Sequence, residues 1–477
     1  MWKTIRKSHR KSNKHWNRAN HVDELKLIEP SHGPAPTPAI EDVVPAERGT
    51  VYVETYGCQM NVSDSEVMLG VLKSAGYSAA TRLEEADVVL LNTCAIREHA
   101  EDRVIGRLSQ LSHLKMKRPD VVLGVCGCMA KHLSEQLLDR VPYVDLILGP
   151  DSYRDLAQMV QEARGEPALD VKLGRSETYV GLDPARSEGV NAWITVMRGC
   201  DKFCTFCIVP YVRGRERSVA AHEIVRQAEI AAQEGFQEVT LLGQTVNSYH
   251  DGETDFADLL EQVARVEGIR RIRFTSPHPS DFTPKLIETM GRDPKICPFI
   301  HLPLQSGADP VLEAMQRSYT TAEYRKLVED LRAAIPGLSL STDIIVGFPG
   351  ETREDFDRTL DLMRGVRFDS AFMFKYSERE GTVAEREIPD TVSATEKGER
   401  LEEVITLQNG ISLEVNQTYV GRTVEVLVEG PARRPGQTSG KTDTFKTIVF
   451  TGEAEPNTFV DVTVTDCTQK TLIGELA

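Results

Sequence analysis

From Val51 onward the chain alternates continuous apolar runs with stretches of helical periodicity. VYVETYGC reads as a strand running into Cys58, and SEVMLGVLKSAGY as an amphipathic helix stopped by Gly76. ADVVLLNTC is a second strand closing at Cys94, and EHAEDRVIGRLSQLSHL is a helix. DVVLGVCGC is a third strand, ending in Cys126 and Cys128, and YVDLILG is a fourth. Apolar strands separated by helices predict a parallel sheet covered on both faces, an α/β sandwich. A second series follows with six apolar runs: AWITVM, EVTLLG, RRIRFTS, PFIHLPL, LSTDIIVGF and SAFMFKYS. Helical stretches such as AAHEIVRQAEIAAQEG and TAEYRKLVEDLRAAI separate them. Six βα units predict a partial, open (βα)6 barrel. Past residue 416 the pattern changes to steps of two, in GRTVEVLVEG, FKTIVFTG and FVDVTVTDCT, which predicts a small antiparallel β-barrel.

The pattern divides the chain at defined places. Residues 1–48 form a basic, Pro-rich tail and 49–166 the N-terminal domain. Residues 167–185 form a linker, 186–416 the central barrel and 417–477 the C-terminal barrel. Three domains suit a chain of 477 residues, at about 150 residues per domain. The first 20 residues carry seven Lys or Arg and no acid, with no apolar stretch behind them, so they are not a secretory signal. A disordered basic tail and a mitochondrial presequence remain as readings. The apolar residues Trp2, Ile5 and Trp16 are few for an amphipathic face. No run approaches the 18 or so apolar residues of a membrane span. A formal charge of −16 argues against a uniformly basic nucleic-acid coat and leaves room for a local basic patch.

Nine cysteines spread over so long a chain are not a disulfide scaffold. Cys200, Cys204 and Cys207 form C-x3-C-x2-C directly after the first strand of the second series. Three thiolates at that spacing suit one 4Fe-4S cluster whose fourth iron stays open. A zinc site would want a fourth ligand nearby, and the nearest His downstream is His222. Cys58, Cys94 and Cys128 are far apart in sequence, yet each closes a strand of one predicted parallel sheet. Ligands gather outside the carboxyl ends of such strands, so the three thiols converge and suit a second cluster. Cys126 points away by strand alternation, and Cys297 and Cys467 read as structural.

The motifs resemble a known family. RGCDKFCTFC resembles the signature of the radical S-adenosylmethionine (SAM) superfamily. TYGCQMN, LNTCAIREHAE and GVCGCMA resemble the N-terminal domain of the methylthiotransferases. IVPYVRGRERS, LLGQTVNSY, HLPLQSG and STDIIVGFPGET are similar to the same family, and the C-terminal barrel resembles a TRAM domain. The resemblance spans roughly residues 49–477 and leaves the tail outside. Within the family, TYGCQMN resembles the branch acting on isopentenylated adenosine 37 of tRNA. The ribosomal-protein branch more often reads Gly-Cys-Pro-Lys-Asn, and the threonylcarbamoyladenosine branch Gly-Cys-Lys-Val-Asn.

The resemblance implies an enzyme that adds a methylthio group to carbon 2 of N6-isopentenyladenosine in tRNAs reading codons that begin with U. It implies catalytic and metal-binding roles for all six cysteines. One cluster, on Cys200, Cys204 and Cys207, binds and cleaves SAM. The other, on Cys58, Cys94 and Cys128, carries the sulfur. It further implies contact with the tRNA anticodon stem-loop, a flavodoxin or ferredoxin as electron donor, a monomer, and a cytoplasmic location. The alternatives are a ribosomal-protein aspartate methylthiotransferase, an iron–sulfur electron carrier, and an RNA-binding protein with structural zinc.

Strand-end residues supply the expected SAM pocket. Gly243 and Gln244 end the second barrel strand and Ser276 the third, Gln305, Ser306 and Gly307 follow the fourth, and Asp343 lies in the fifth. Phe206, between two ligands, reads either as a shield or adenine platform or as ordinary packing. Arg213, Arg215 and Arg217 suit phosphates or the SAM carboxylate, or a solvated charged loop. Arg433, Arg434, Lys441 and Lys446 are candidates for an RNA face. Residues 412–477 hold six Lys or Arg against nine Asp or Glu, so that face is local. GQTSGKT is one residue short of a phosphate-binding loop and precedes a strand, which excludes a nucleotide-hydrolysis site.

Overall fold

The structure, a computed structural model, describes residues 48–95, 98–186 and 189–477, with the side chains of 98–100 outside the description. The tail read at residues 1–48 therefore lies outside the described residues, apart from Arg48.

The N-terminal domain is a six-stranded parallel sheet. Its strands are β1 (Thr50–Thr55), β2 (Ser78–Ala79), β3 (Val88–Thr93), β4 (Val122–Gly127), β5 (Leu146–Leu148) and β6 (Ala168–Asp170), in the order β2-β1-β3-β4-β5-β6. β3 and β4 are buried at every position because helices cover both faces, which is why they read as unbroken apolar runs. On one face Met68, Leu69 and Leu72 of Gln59–Ser74 pack with Leu156 and Val160. On the other, Val104, Leu108 and Leu111 of Glu98–Lys117 pack with Met129, Leu133 and Leu137. β6 lies within the stretch read as a linker. It is three residues long and half-exposed at the sheet edge, too short to leave a periodicity.

The central domain holds β7 (Asn191–Thr195), β8 (Met197–Arg198), β9 (Arg217–Ser218), β10 (Glu238–Leu242), β11 (Arg271–Phe274), β12 (Phe299–His301), β13 (Ser339–Val346) and β14 (Ser370–Lys375). β11-β10-β7 and β12-β13-β14 form two parallel three-stranded arrays. A parallel bridge from Ile272 to Ile296 links them, so six strands make the expected open half-barrel. The short β8–β9 ribbon brackets the C-x3-C-x2-C loop and sets Arg198 opposite Arg217.

The C-terminal domain is a closed barrel of β15 (Thr423–Pro431), β16 (Gln437–Thr442), β17 (Thr447–Thr451), β18 (Phe459–Cys467) and β19 (Thr471–Leu476). Val426, Val428, Ile448, Phe450, Val462, Val464 and Leu472 fill it. The reading of an antiparallel barrel is right for four of the five pairings. β17 and β19 run parallel, which closes the barrel and removes its open edges. GQTSGKT contains the whole of β16. The turn after β16 docks on the half-barrel. Arg273 donates to the carbonyls of Thr442 and Asp443 at 2.8 and 2.7 Å, and Phe445 stacks on Phe299 at 4.9 Å between ring centres.

Candidate active site

The strand order of the N-terminal sheet reverses between β1 and β3, and this reversal is where doubly wound sheets place their ligands. Cys58 follows β1 and caps the helix Gln59–Ser74, Cys94 follows β3, and Cys128 opens the helix Cys128–Leu133 directly after β4. The three loops are packed against one another. Gly57 has φ +146°, and a Cβ there would stand 2.8 Å from the Cβ of Cys94. Asn61 and Asn92 stitch the loops together. Asn61 accepts from the Cys58 backbone N–H at 3.3 Å and donates to Asn92 Oδ1 and the Thr93 carbonyl at 3.2 Å each. Asn92 donates back to the Asn61 carbonyl at 2.8 Å, and Thr93 Oγ1 donates to the Cys126 carbonyl at 2.7 Å. Buried amides this fully bonded fix the loop geometry. Cys126 itself packs in the apolar core on the other side of its strand.

The second thiol set lies between β8 and β9. Cys200 N–H donates to the Gly214 carbonyl at 3.1 Å, and Cys207 N–H donates to the Cys204 carbonyl at 2.9 Å. Thr205 anchors the loop through its N–H to the Met315 carbonyl at 3.1 Å and its hydroxyl to the Ala314 carbonyl at 2.9 Å. Each sulfur has a donor: Lys202 N–H to Cys200 Sγ at 3.5 Å, Arg317 Nη1 to Cys204 Sγ at 3.3 Å, and the Val209 backbone to Cys207. Burial pushes the Cys200 thiol up to about 11 and the Cys207 thiol up to about 12. Binding a soft metal centre there therefore displaces protons. Among the described residues no three Cys, His, Asp or Glu side chains stand close enough to hold a single ion. A cubane asks for a wider set, since each thiolate takes a different iron. Neither triad has a His, Asp or Glu that completes a four-ligand zinc site with it among the described residues.

In the central domain, Gln244 Oε1 and Gln305 Oε1 are buried without hydrogen-bond partners among the described residues. Each follows the carboxyl end of a barrel strand, where a bound polar ligand would satisfy it. Ser276 and Gln305 adopt left-handed backbone conformations, φ 57° and 69°, a strain that collects at ligand sites. The remaining expected pocket residues make defined contacts within the chain. Gly243 is small because a Cβ would press on Met197 at 2.6 Å. Ser306 and Gly307 bond the Thr359 hydroxyl at 3.4 and 2.9 Å and so tie their loop to the helix Arg353–Val366. Asp343 lies mid-strand, 3.3 Å from His301 Nε2, whose Nδ1 meets Ser341 at 2.8 Å. Phe206 packs edge-on against Phe348 at 6.4 Å, which is the packing reading.

A buried charge network joins the N-terminal and central domains. Asp64, on the helix Gln59–Ser74, accepts from Arg198 at 2.9 Å and from Arg213 at 2.7 Å. Arg213 Nε also donates to Cys128 Sγ at 3.1 Å. Arg217 grips Asp151 at 2.8 and 3.2 Å. Burial pushes the Cys128 thiol up, and Arg213 opposes the shift. Three arginines face two carboxylates in this network, and Arg213 sets one of those cations against Cys128. That suits an anionic thiolate cluster.

Comparison with known proteins agrees with this geometry. Residues 50–149 match the uncharacterized protein family UPF0004, residues 194–363 the radical SAM superfamily and residues 417–477 the TRAM domain. A tRNA-2-methylthio-N(6)-dimethylallyladenosine synthase of Moorella thermoacetica is 48% identical over 415 residues, covering 85% of this chain and 93% of its own. One from Porphyromonas gingivalis is 45% identical, covering 89% and 94%. The chain belongs to the tRNA-2-methylthio-N(6)-dimethylallyladenosine synthase family. Among solved structures it is similar to the radical SAM methyltransferase TsrM of Kitasatospora setae, with a TM-score of 0.52, 14% identity and 82% and 80% of the two chains covered. It is also similar to the cobalamin-dependent radical SAM enzyme OxsB, at 0.51 and 14%, covering 76% of this chain and 56% of that one. These two likenesses show the fold. Membership of the radical SAM superfamily brings one 4Fe-4S cluster and SAM.

Several expected roles are corrected. Arg213 and Arg217 are buried in the domain interface and are not free for phosphates, while exposed Arg215 pairs with Asp201 at 2.5 Å. Lys446 is paired with Asp369 at 2.7 Å, with both side chains about nine-tenths buried. Lys441 donates to Thr447 at 2.6 Å, and burial depresses its ammonium. Only Arg433 and Arg434, exposed on the turn between β15 and β16, remain of the expected RNA face. Asp64, Arg198, Arg317 and His301 are absent from the sequence reading. Asn61, three residues beyond Cys58 at the start of a helix, carried a capping signal that could have identified it.

Proposed function

We propose that the chain adds a methylthio group to carbon 2 of N6-isopentenyladenosine at position 37 of tRNAs reading codons that begin with U. The observation that carries the reading is the pair of cysteine triads on either side of one interface, joined through residues 213 and 214. When bound, two 4Fe-4S clusters and SAM supply the one-electron cleavage, the sulfur and the methyl group that amino-acid side chains cannot.

The chain's own residues bind, orient and shield. Cys200, Cys204 and Cys207 hold one cluster and Cys58, Cys94 and Cys128 the other. Arg317 and Arg213 stabilise one thiolate in each set. The buried, unpartnered carbonyl oxygens of Gln244 and Gln305 would accept from donor groups of SAM when it is bound. Ala95, Ile208 and Val212 pack around Cys128 and keep water from that sulfur. Arg433 and Arg434 meet phosphates of the anticodon stem-loop. A flavodoxin or ferredoxin donor, a monomeric state and a cytoplasmic setting complete the reading. Among the described residues no helix is long and apolar enough to cross a membrane.

The test is anaerobic. The iron-loaded protein is incubated with SAM, a reductant and tRNA bearing isopentenyladenosine, and the nucleosides are analysed by mass spectrometry. A methylthio nucleoside is the expected product. Deoxyadenosine without it, together with a methylthio product on the ribosomal-protein aspartate, would move the substrate.

A further inference from the structure

The turn after Cys207 touches both cysteine triads within two residues. The Gly214 carbonyl accepts from the Cys200 backbone N–H at 3.1 Å, on the central-domain side. The Arg213 side chain donates from Nε to Cys128 Sγ at 3.1 Å, on the N-terminal side. The same helix, Val209–Arg213, packs Val212 beside Cys128 and Ala95 in one apolar cluster, joined by Ile208. Arg213 cannot swing away. Its side chain is about 4% exposed and its Nη2 is bound to Asp64, which Arg198 holds from the other side. Arg213 Nη1 is buried with no hydrogen-bond partner among the described residues, so its positive charge is only partly answered by the protein.

We propose that Arg213 is a positioning residue that sets the reduction potential of the cluster on Cys58, Cys94 and Cys128 and fixes that cluster's distance from the SAM-cleaving centre. The inference rests on the reading of those three cysteines as cluster ligands. A cationic donor on a ligating sulfur stabilises the more negative, reduced form of an iron–sulfur centre, so it raises the potential. The planar fork of Arg serves two partners at fixed angles, Asp64 and the sulfur, which Lys cannot do. Carrying that fork on the turn that also bonds Cys200 converts a domain contact into a distance between two redox centres.

The experiment isolates one cluster. In the full chain carrying Cys200→Ala, Cys204→Ala and Cys207→Ala, anaerobic reconstitution should leave about four irons, all on the N-terminal triad. An EPR-monitored redox titration then compares Arg213 with Arg213→Lys and Arg213→Gln. The expected result is full iron in all three, with a midpoint potential that falls in Lys and falls further in Gln. In the chain with all six cysteines, methylthiolation should drop roughly 10–100-fold in Gln, with partial rescue in Lys. Equal potentials at full iron would overturn the inference alone. Absence of iron even with Arg213 present would instead overturn the ligand reading, and the inference with it. Arg213→Lys keeps a charge for Asp64 to pair with, so a folding failure confined to Gln still leaves the Lys titration to decide.

Discussion

Arg317 Nη1 donates to Cys204 Sγ across 3.3 Å, from the segment between the helices Asp309–Ala314 and Thr321–Ala334. The guanidinium is held in place by the Tyr319 hydroxyl at 3.0 Å and the Pro303 carbonyl at 3.3 Å. Each cysteine triad thus has one arginine aimed at one sulfur, Arg213 buried and Arg317 half-buried. Arg317→Gln should lower 5′-deoxyadenosine formation roughly 10–100-fold while the protein still binds tRNA. Removing the hydrogen bonds to Tyr319 and Pro303 should cost about 1–3 kcal/mol, read as a lower melting temperature. Unchanged deoxyadenosine formation would show that the contact is only structural.

The two triads should separate in function. Cys58→Ala should leave SAM cleavage in place, because Cys58 lies in the other domain from Cys200, Cys204 and Cys207. It should abolish the methylthio nucleoside. The check is to quantify deoxyadenosine and the modified nucleoside in one reaction. Persistent sulfur insertion would remove Cys58 from the ligand set.

Asp64 balances Arg198 and Arg213 at the domain boundary with about 1% of its side chain exposed. Asp64→Ala leaves two buried cations facing each other, and breaking a buried pair costs about 3–5 kcal/mol. The expected outcome is a lower denaturant midpoint. Partial iron loss should accompany it, confined to the N-terminal triad.

His278 gives a pH signature. Burial, aided by the nearby Arg317 and Lys202 cations, lowers it from an ordinary 6.5 to about 3. The folded protein keeps it neutral while the unfolded chain protonates it. Its contribution to stability is therefore complete above about pH 6.5 and is lost as pH falls towards about 3, at no more than roughly 1.4 kcal/mol per pH unit. From pH 7 to pH 5 the urea midpoint should fall further in wild type than in His278→Asn. An equal acid shift in the two chains would contradict the buried neutral state.

The C-terminal barrel should bind RNA through its distal turn. Arg433→Ala with Arg434→Ala should weaken tRNA binding. The plot of log affinity against log salt should flatten by about 0.7–0.9 for each phosphate that is no longer neutralised. Lys446→Ala should leave that slope alone and lower thermal stability, since Lys446 is engaged with Asp369. Identical slopes for all chains would place the RNA elsewhere.

The architecture was largely legible in the sequence because it rests on local signals. The run VVLLN reads as a doubly covered strand because β3 is buried on both faces. The placement of Cys58, Cys94 and Cys128 after parallel strands, and of Cys200, Cys204 and Cys207 in one loop after the first barrel strand, was legible from local pattern. What the sequence hid was chiefly long-range. Arg213 looked like a solvated or phosphate-binding side chain, and its partner Asp64 lies 149 residues away on another domain. Lys441 and Lys446 looked like an RNA face, but Lys441 is engaged with Thr447 and Lys446 with Asp369. Strand β6 was missed because three edge residues carry no period.

The proposed function stands or falls on two separate clusters, one on each side of the Arg213 interface. The deciding measurement is iron and acid-labile sulfide per chain after anaerobic reconstitution. It should be made for wild type, for the Cys58→Ala, Cys94→Ala, Cys128→Ala chain and for the Cys200→Ala, Cys204→Ala, Cys207→Ala chain. About eight irons are expected in wild type and about four in each variant, with SAM cleavage only where Cys200, Cys204 and Cys207 remain. About four irons in wild type, undiminished by removal of Cys58, Cys94 and Cys128, would contradict the two-cluster reading.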